Sequence, residues 1–129
     1  MNKQELLGKI PLFRSLSKKS IAYLGAHCKE ISAPKGAVFY SEQDQAEHLY
    51  IVQTGVVQLF KATRAGKRTL INSLTAGHIF GEDSFLTGSP YNYTAVAGKA
   101  SAVVRIENNA LKKISTKNHE LTLSLRIGV

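Results

Sequence analysis

Six short runs of β-branched and aromatic residues, separated by glycine and turn residues, follow one another between residues 37 and 106. They read AVFYS, HLYIVQTG, VVQLFKA, RTLINSLT, YTAVAGK and SAVVRI. Apolar runs of this length with turn residues at both ends are typical of β-strands. Strands at this spacing predict a β-sandwich or a small barrel.

Helical patterns lie on both sides of this β-rich segment. Residues 2–9 and 17–28 show helical spacing of apolar residues, with Cys28 on the apolar face of the second helix and Ser17 available as its N-cap. Helical spacing returns over residues 107–114, after the last run. We therefore expect helices before and after the strands.

Glycines mark the turns between the runs. TRAGK (63–67) lies between two runs, and because Gly66 can take a positive φ, these two strands are expected to pair as a hairpin. Gly36 and Gly55 mark further tight reversals of the chain.

The length and composition suit one compact domain. The chain has 129 residues, 43% of them hydrophobic, and its 17 Lys and Arg against 9 Asp and Glu give a formal charge of +8. This charge favours encounters with polyanions, but the basic residues stand in small groups that are typical of a solvated surface. The N-terminus lacks the apolar core of a signal peptide, and no apolar run approaches the roughly 18 residues of a membrane helix. We therefore expect a cytoplasmic protein in which the single cysteine, Cys28, is a buried small residue.

The last segment, HELTLSLRIGV (119–129), fits two structures. Leucine or isoleucine stands at every second position from 121 to 127, as in a strand, and the same positions also pair at i, i+4 along a helix. Taken alone, the alternation favours a strand. The chain ends without a polar closing segment, as expected of a piece of a longer protein.

Two longer segments carry a resemblance to a known family. They read PKGAVFYSEQDQAEHLYIVQTGVVQLFK and LTAGHIFGEDSFLTGSPYNYTAVAGKASAVVRI. Their shared order of parts includes a glycine before a strand (Gly36), a strand pair around Gly55 and the AGHIFGE approach to a glycine-containing cradle. In this order and spacing they resemble the cyclic-nucleotide-binding domain of the Crp/Fnr family of bacterial transcription regulators, from about Leu12 to Ile114.

This resemblance implies a mostly β fold with flanking helices. The fold is an eight-stranded double-stranded β-helix, or jelly-roll-like β-roll, whose short helix after FGE forms the phosphate-binding cassette. Residues 1–114 would be the sensor domain and residues 115–129 the start of a dimerisation helix, which overrides the strand interpretation.

The family also implies a small-molecule effector, a homodimer of the full-length protein, no membrane partner, and DNA contact through a C-terminal domain whose recognition helix we do not expect in this chain. Gln43 stands where the family commonly has a glycine, and this puts one local turn in doubt.

The cassette departs from the family at its cation. In nucleotide-binding members, the glutamate of FGE accepts hydrogen bonds from the ribose 2′-hydroxyl, and an arginine directly after G-[ST]-P pairs with the cyclic phosphate. This chain keeps Glu82 and keeps GSP at 88–90, but Tyr91 follows, and then Asn92 and Tyr93. A buried phosphate needs a permanently charged partner, which one neutral hydroxyl replaces poorly. We therefore expect that neither cyclic AMP nor cyclic GMP is a high-affinity ligand.

The candidate ligand-binding residues belong to the cassette and to the strand after it. They are Gly81, Glu82, Asp83, Ser89, Tyr91, Asn92, Tyr93 and Thr94. For the two carboxylates, two interpretations stay open: they bind ligand hydroxyls, or they are charges at a helix N-terminus that need no ligand. We expect Phe80 and Phe85 to fill the core. Of Tyr91 and Tyr93, one is expected to point inward, toward an apolar or aromatic ligand site.

The sequence does not identify the effector or a cofactor. A weakly bound cyclic nucleotide, a small metabolite and haem stay open, whereas one cysteine cannot hold an iron–sulfur cluster that needs about four thiolates. The candidate haem ligands are His27, His48, His78 and His119. Two other functions are alternatives: a cupin-like metal-dependent enzyme and a free-standing protein-interaction domain. Since a cupin-like site needs converging histidines and a carboxylate, and the sequence has no His-x-His pair or catalytic motif, we expect no enzyme.

Overall fold

The structure, a computed structural model, describes residues 2–115. Within these residues it contains eight strands and four α-helices, with a short 3-10 turn at Pro11–Phe13. The helices are α1 (Lys3–Lys9), α2 (Lys18–Ala26), α3 (Asp83–Thr87) and α4 (Asn108–Ser115). The strands are β1 (Cys28–Ala33), β2 (Val38–Tyr40), β3 (His48–Thr54), β4 (Val57–Ala62), β5 (Arg68–Leu74), β6 (Ile79–Phe80), β7 (Thr94–Ala97) and β8 (Ser101–Glu107).

The strands form two four-stranded sheets in which every pair is antiparallel. The strand order is β1-β8-β3-β6 in one sheet and β2-β7-β4-β5 in the other. Side chains from both sheets meet in one apolar cluster, and α1, α2 and α4 pack with the first sheet in a second cluster. The predicted mostly β fold with flanking helices is confirmed.

The central strand β3 is buried on both faces. Leu49 and Ile51 belong to the cluster shared with the helices, which includes Leu7, whereas Tyr50 and Val52 belong to the cluster between the sheets. Alternate side chains of a strand point to opposite faces. A strand covered on both sides therefore needs the uninterrupted apolar run LYIV. The first residue of this strand, His48, contacts the candidate site that is described below.

The predicted hairpin and reversals are confirmed. Gly66 has a φ of 75°, and the N–H of Thr63 donates to the backbone oxygen of Lys67 at 2.7 Å. Gly55 has a φ of 91°, and a β-carbon at this position would lie 2.7 Å from the Cα of Ser101. A glycine is thus required at position 55, both because of the positive φ and because β8 approaches so closely.

The helix predicted for residues 17–28 is wrong at its end. α2 ends at Ala26 with His27 as its C-cap, and Cys28 begins β1 opposite Ile106 of β8. Cys28 is buried as predicted, but from a strand rather than from a helix. β1 escaped prediction because it is an edge strand whose sequence, CKEISA, is polar at its exposed positions.

The end of the chain is only partly described. The helix predicted over residues 107–114 is present as α4, whereas residues 116–129, with His119 and most of the predicted dimerisation helix, lie outside the described residues. Among residues 2–115, no helix is long and apolar enough to cross a membrane.

Candidate functional site

The cassette is the segment 80–94, which joins β6 to β7 through α3. Gly81 follows β6 and turns the chain with a φ of 82°. A β-carbon on Gly81 would lie 3.2 Å from the ring of Tyr91 and 3.3 Å from the backbone oxygen of His48. Only glycine therefore combines this φ with the available space without displacing a neighbour.

Two adjacent carboxylates stand at the start of α3. Oδ2 of Asp83 accepts hydrogen bonds from the Tyr93 hydroxyl (2.7 Å) and from Nδ2 of Asn92 (3.3 Å). The half-buried Glu82 side chain makes no capping hydrogen bond to α3. Burial raises the pKa of Glu82 to about 6; its own backbone N–H acts in the opposite direction, and the charge of Asp83 adds to the rise. This end of the cassette is therefore acidic and rich in hydrogen-bond acceptors.

Tyr91, which directly follows GSP in the sequence, points into the core. It is 3% exposed, and its ring stacks on that of Tyr40 with centroids 3.7 Å apart and planes inclined by 11°. Its hydroxyl donates to the backbone oxygen of His48 (2.7 Å) and accepts from the backbone N–H of His48 (3.2 Å). Burial raises the pKa of Tyr91 to about 12, so the hydroxyl is neutral. The protein itself thus uses this hydroxyl as both donor and acceptor.

The other predicted site residues do not all converge. Asp83, Asn92 and Tyr93 are in direct contact, as described above. Ser89 is exposed, and its backbone N–H donates to a hydroxyl within the cassette. The Thr94 hydroxyl accepts from the backbone N–H of Glu42 (3.0 Å), in the turn after β2. The side chain of Phe85 lies outside what the structure describes, and Phe80 is buried in the core as predicted.

One cation contacts the cassette from a neighbouring strand. Nζ of Lys61, on β4, donates to the backbone oxygen of Asn92 (2.7 Å) and lies 3.1 Å from a carboxylate oxygen of Glu42. Glu42 also accepts from the backbone N–H of Ala62, and this bond together with Lys61 lowers the pKa of Glu42. The charge of Lys61 is therefore balanced by a carboxylate. The segment 80–97 has no lysine or arginine of its own.

An aromatic cluster that the sequence did not single out packs against the cassette. Tyr50 stacks on Phe80 (centroids 4.9 Å apart), and Phe39 meets the same ring edge-on at 5.7 Å. Tyr40 is 5% exposed, and among the described residues its buried hydroxyl has no hydrogen-bond partner. Burial, followed by the nearby Tyr93, raises the pKa of Tyr40. Tyr40 is thus a polar group at the cassette whose hydroxyl has no partner among the described residues.

The three described histidines differ in their burial, and the ring of His48 meets that of Tyr50 edge-on with centroids 6.3 Å apart. His27 and His78 are exposed, with Nδ1 of each close to a backbone oxygen of its own turn, and His48 is half-buried. Burial, and then the charge of Arg105, lower the pKa of His48. Within residues 2–115, no three His, Cys, Asp or Glu side chains are grouped so that they could hold a metal ion. The described part of the chain therefore gives no support to a cupin-like metal site.

The chain belongs to the cyclic nucleotide-binding domain family, because the model of that family matches residues 30–118. The sensor domain of the transcriptional regulator DNR from Pseudomonas aeruginosa superposes with a TM-score of 0.90 at 26% identity, over 97% of this chain and 84% of that one. The resemblance to sensor domains of Crp/Fnr regulators is thereby confirmed.

Curated relatives place the same domain in longer proteins of two kinds. A CRP-like cAMP-activated global transcriptional regulator of Mycobacterium tuberculosis is 22% identical over 121 residues, which are 94% of this chain and 54% of the relative. The potassium channel SKOR of Arabidopsis thaliana is 27% identical over 106 residues, which are 82% of this chain and 13% of the channel. The chain thus spans about half the length of the regulator and a small part of the channel.

Proposed function

We propose that the chain is the ligand-sensing domain of a Crp/Fnr-type transcription regulator, that it is not an enzyme, and that it binds cyclic AMP and cyclic GMP weakly. The kinship with the DNR sensor domain, which spans nearly the whole chain, supports the first part. The observation that carries the last part is the Tyr91 hydroxyl, which is held on both sides by the backbone of His48.

A cyclic phosphate would find no strong partner in this cassette. A hydrogen bond from a charged donor contributes about 1.5–3 kcal/mol, against about 0.5–1.5 kcal/mol for a neutral one. To offer even this weaker hydrogen bond to a phosphate, Tyr91 would have to release His48 and leave part-buried backbone groups of His48 unpaired. The carboxylates of Glu82 and Asp83 would meanwhile repel the phosphate at short range. Each of these effects lowers the affinity for an anion.

The proposed mechanism is an allosteric change between two states of the regulator. A ligand at the cassette would act on Tyr91, whose hydroxyl is bonded to His48 at the start of β3. β3 pairs along its length with β8, and β8 continues directly into α4. A ligand that favours one arrangement of the cassette would shift the equilibrium of the elements that follow α4.

The partners follow from the place of such a domain in a regulator. We propose a small-molecule effector, a homodimer formed through a helix that starts in residues 115–129, and DNA contact through a further domain of the full-length protein in the cytoplasm. The length of the curated regulator, of which this chain covers 54%, is compatible with such a further domain.

A variant that changes the charge of the cassette tests the proposal. Asp83→Asn keeps an oxygen that can accept from Tyr93 but removes one negative charge, so we expect it to strengthen cyclic AMP binding about threefold to tenfold at low salt, measured by calorimetry. Glu30→Gln removes the same charge from the exposed face of β1 and should leave the affinity unchanged. Weaker binding by Asp83→Asn, or an equal gain from both variants, would argue against electrostatic exclusion at the cassette.

A further inference from the structure

The unpaired hydroxyl of Tyr40 is the feature of the candidate site that the domain's fold does not explain. Buried side-chain oxygens in folded proteins nearly always have a hydrogen-bond partner. The Tyr40 hydroxyl has no such partner among residues 2–115, although the residue is only 5% exposed. If Tyr40 served only the apolar core, phenylalanine would fill the same space without this cost.

The hydroxyl end of Tyr40 faces the cassette. A β-carbon built on Gly81 would lie 3.5 Å from Cε2 of Tyr40, a ring atom next to the carbon that carries the hydroxyl. The ring also stacks on Tyr91. After burial, the groups that raise the pKa of Tyr40 are Tyr93, Tyr91, Glu82 and Asp83, all of which belong to the cassette. The ring of Tyr40 therefore lies against Gly81 and Tyr91, and its hydroxyl is close enough to the two carboxylates to feel their charge without a hydrogen bond to either.

The groups gathered here define a chemical preference. The carboxylates of Glu82 and Asp83 accept hydrogen bonds, and the Tyr40 hydroxyl has a proton to donate. The Tyr93 hydroxyl already donates to Asp83, and the charge of Lys61 is paired with Glu42. A ligand that supplies O–H donors and one acceptor oxygen satisfies this set, whereas an anion meets two carboxylates and no unpaired cation among these groups.

We infer that the cassette takes an uncharged ligand that carries hydroxyl groups, and that the Tyr40 hydroxyl is a specificity-determining contact to an oxygen of that ligand. This inference rests on the proposed function, because it names the ligand class of the same site. β2, which carries Tyr40, is three residues long, lies at the edge of its sheet and has a register shift between Val38 and Tyr40. In this proposal the ligand reaches the hydroxyl by displacing this short edge strand.

Adenosine and cyclic AMP are the matched probes, since they share base and ribose and differ by the cyclic phosphate. Calorimetry with the 129-residue chain should show that adenosine binds at least about tenfold more tightly than cyclic AMP. Tyr40→Phe should weaken adenosine about fivefold to tenfold, the usual equivalent of one hydrogen bond. The same variant should raise the melting temperature of the ligand-free protein, because it removes an unsatisfied buried hydroxyl. Tyr23→Phe, on α2 outside the cassette, is the control and should leave adenosine binding unchanged.

Three results would overturn the inference. They are no detectable binding of adenosine, tighter binding of cyclic AMP than of adenosine, and a Tyr40→Phe variant that is more stable yet binds adenosine like the wild type. The last result would make the hydroxyl a defect of packing only. Submicromolar binding of cyclic AMP would overturn the proposed function as well, whereas weak cyclic AMP binding without adenosine binding would overturn this inference alone.

Discussion

Gln43 holds a backbone conformation that favours glycine, with a φ of 76°. Its N–H donates to the backbone oxygen of Tyr91 (2.9 Å), and the N–H of Tyr91 donates to the backbone oxygen of Asp44 (3.0 Å). The turn that the sequence put in doubt is therefore formed, and Gln43 carries the strain of a side chain in the left-handed region. This strain lies where the turn after β2 contacts the end of the cassette.

Gln43→Gly should stabilise the protein. Relief of the left-handed conformation is worth roughly 1–2 kcal/mol, and the larger entropy of an unfolded glycine offsets part of it, so we expect the free energy of unfolding to rise by about 0.5–1 kcal/mol in urea titrations. Gln45→Gly is the control: Gln45 is also exposed in this loop but has a negative φ, so only the entropic cost applies and stability should fall. A loss of stability in Gln43→Gly would show that its side chain contributes more than its backbone costs.

Glu82 should make the stability of the fold depend on pH. Its pKa is raised from 4.5 to about 6 in the folded state, so the folded protein binds this proton more tightly than the unfolded chain does. Its contribution is fully favourable below about pH 4.5 and is lost as the pH rises through 6. Glu82→Gln should therefore exceed the wild type by about 1–2 kcal/mol in free energy of unfolding at pH 7.5, and by little at pH 4.5.

The comparison with a second variant isolates this effect from the other carboxylates. Glu30→Gln removes the same charge from the exposed face of β1, away from the cassette, and serves as the control. If the difference between Glu82→Gln and the wild type were the same at pH 4.5 and 7.5, the Glu82 carboxyl would have an ordinary pKa and the cassette would be more hydrated than its burial implies.

At the scale of the element, the cassette depends on one glycine. Gly81→Ala places a methyl group against the Tyr91 ring and the His48 backbone oxygen at a φ of 82°, so we expect a loss of about 2–4 kcal/mol in stability by urea denaturation. Gly66→Ala provides a matched control, since Gly66 has a similar φ of 75° but open space around it. This variant should lose only about 1–2 kcal/mol. Equal losses in the two variants would mean that the cassette relaxes around the methyl group.

The strands with a clear apolar pattern could be predicted, and those without one could not. β3 and β8 each bury a run of apolar residues, β4 buries the alternate residues Val57 and Leu59, and the TRAGK hairpin has the turn chemistry that fixes its strands. β6 has only two residues, and the edge strand β1 has little apolar sequence. The register shift in β2 exposes 55% of Val38 and buries Tyr40, although a regular strand would place both on the same face. The unpaired hydroxyl of the site was hidden from the sequence for this reason.

The cassette itself was predicted in part. The motif FGE…GSP located the turn at Gly81 and the two carboxylates, because the resemblance to the family rests on the order and spacing of these residues. The partner of Tyr91 was not predictable, since His48 lies 43 residues away along the chain and meets Tyr91 only once β3 has paired with β6 and β8. Long-range contacts of this kind decide whether a side chain is free to meet a ligand.

At the scale of the whole molecule, two antiparallel sheets with α1, α2 and α4 carry a cassette whose segment 80–97 contains no lysine or arginine. The fold is that of the cyclic nucleotide-binding family, whereas the side chains of the site are two carboxylates and several tyrosines. A fold of this family does not by itself fix the ligand. The chemistry of the cassette therefore decides what the domain senses.

The central claim is that this cassette does not bind a cyclic nucleotide tightly, and a calorimetric titration of the wild-type chain with cyclic AMP tests it most directly. We expect a dissociation constant above about 10 µM, because the Tyr91 hydroxyl after GSP is neutral and is already bonded to His48. Submicromolar binding of cyclic AMP would contradict the claim, since it would require a partner for the phosphate that these side chains do not supply.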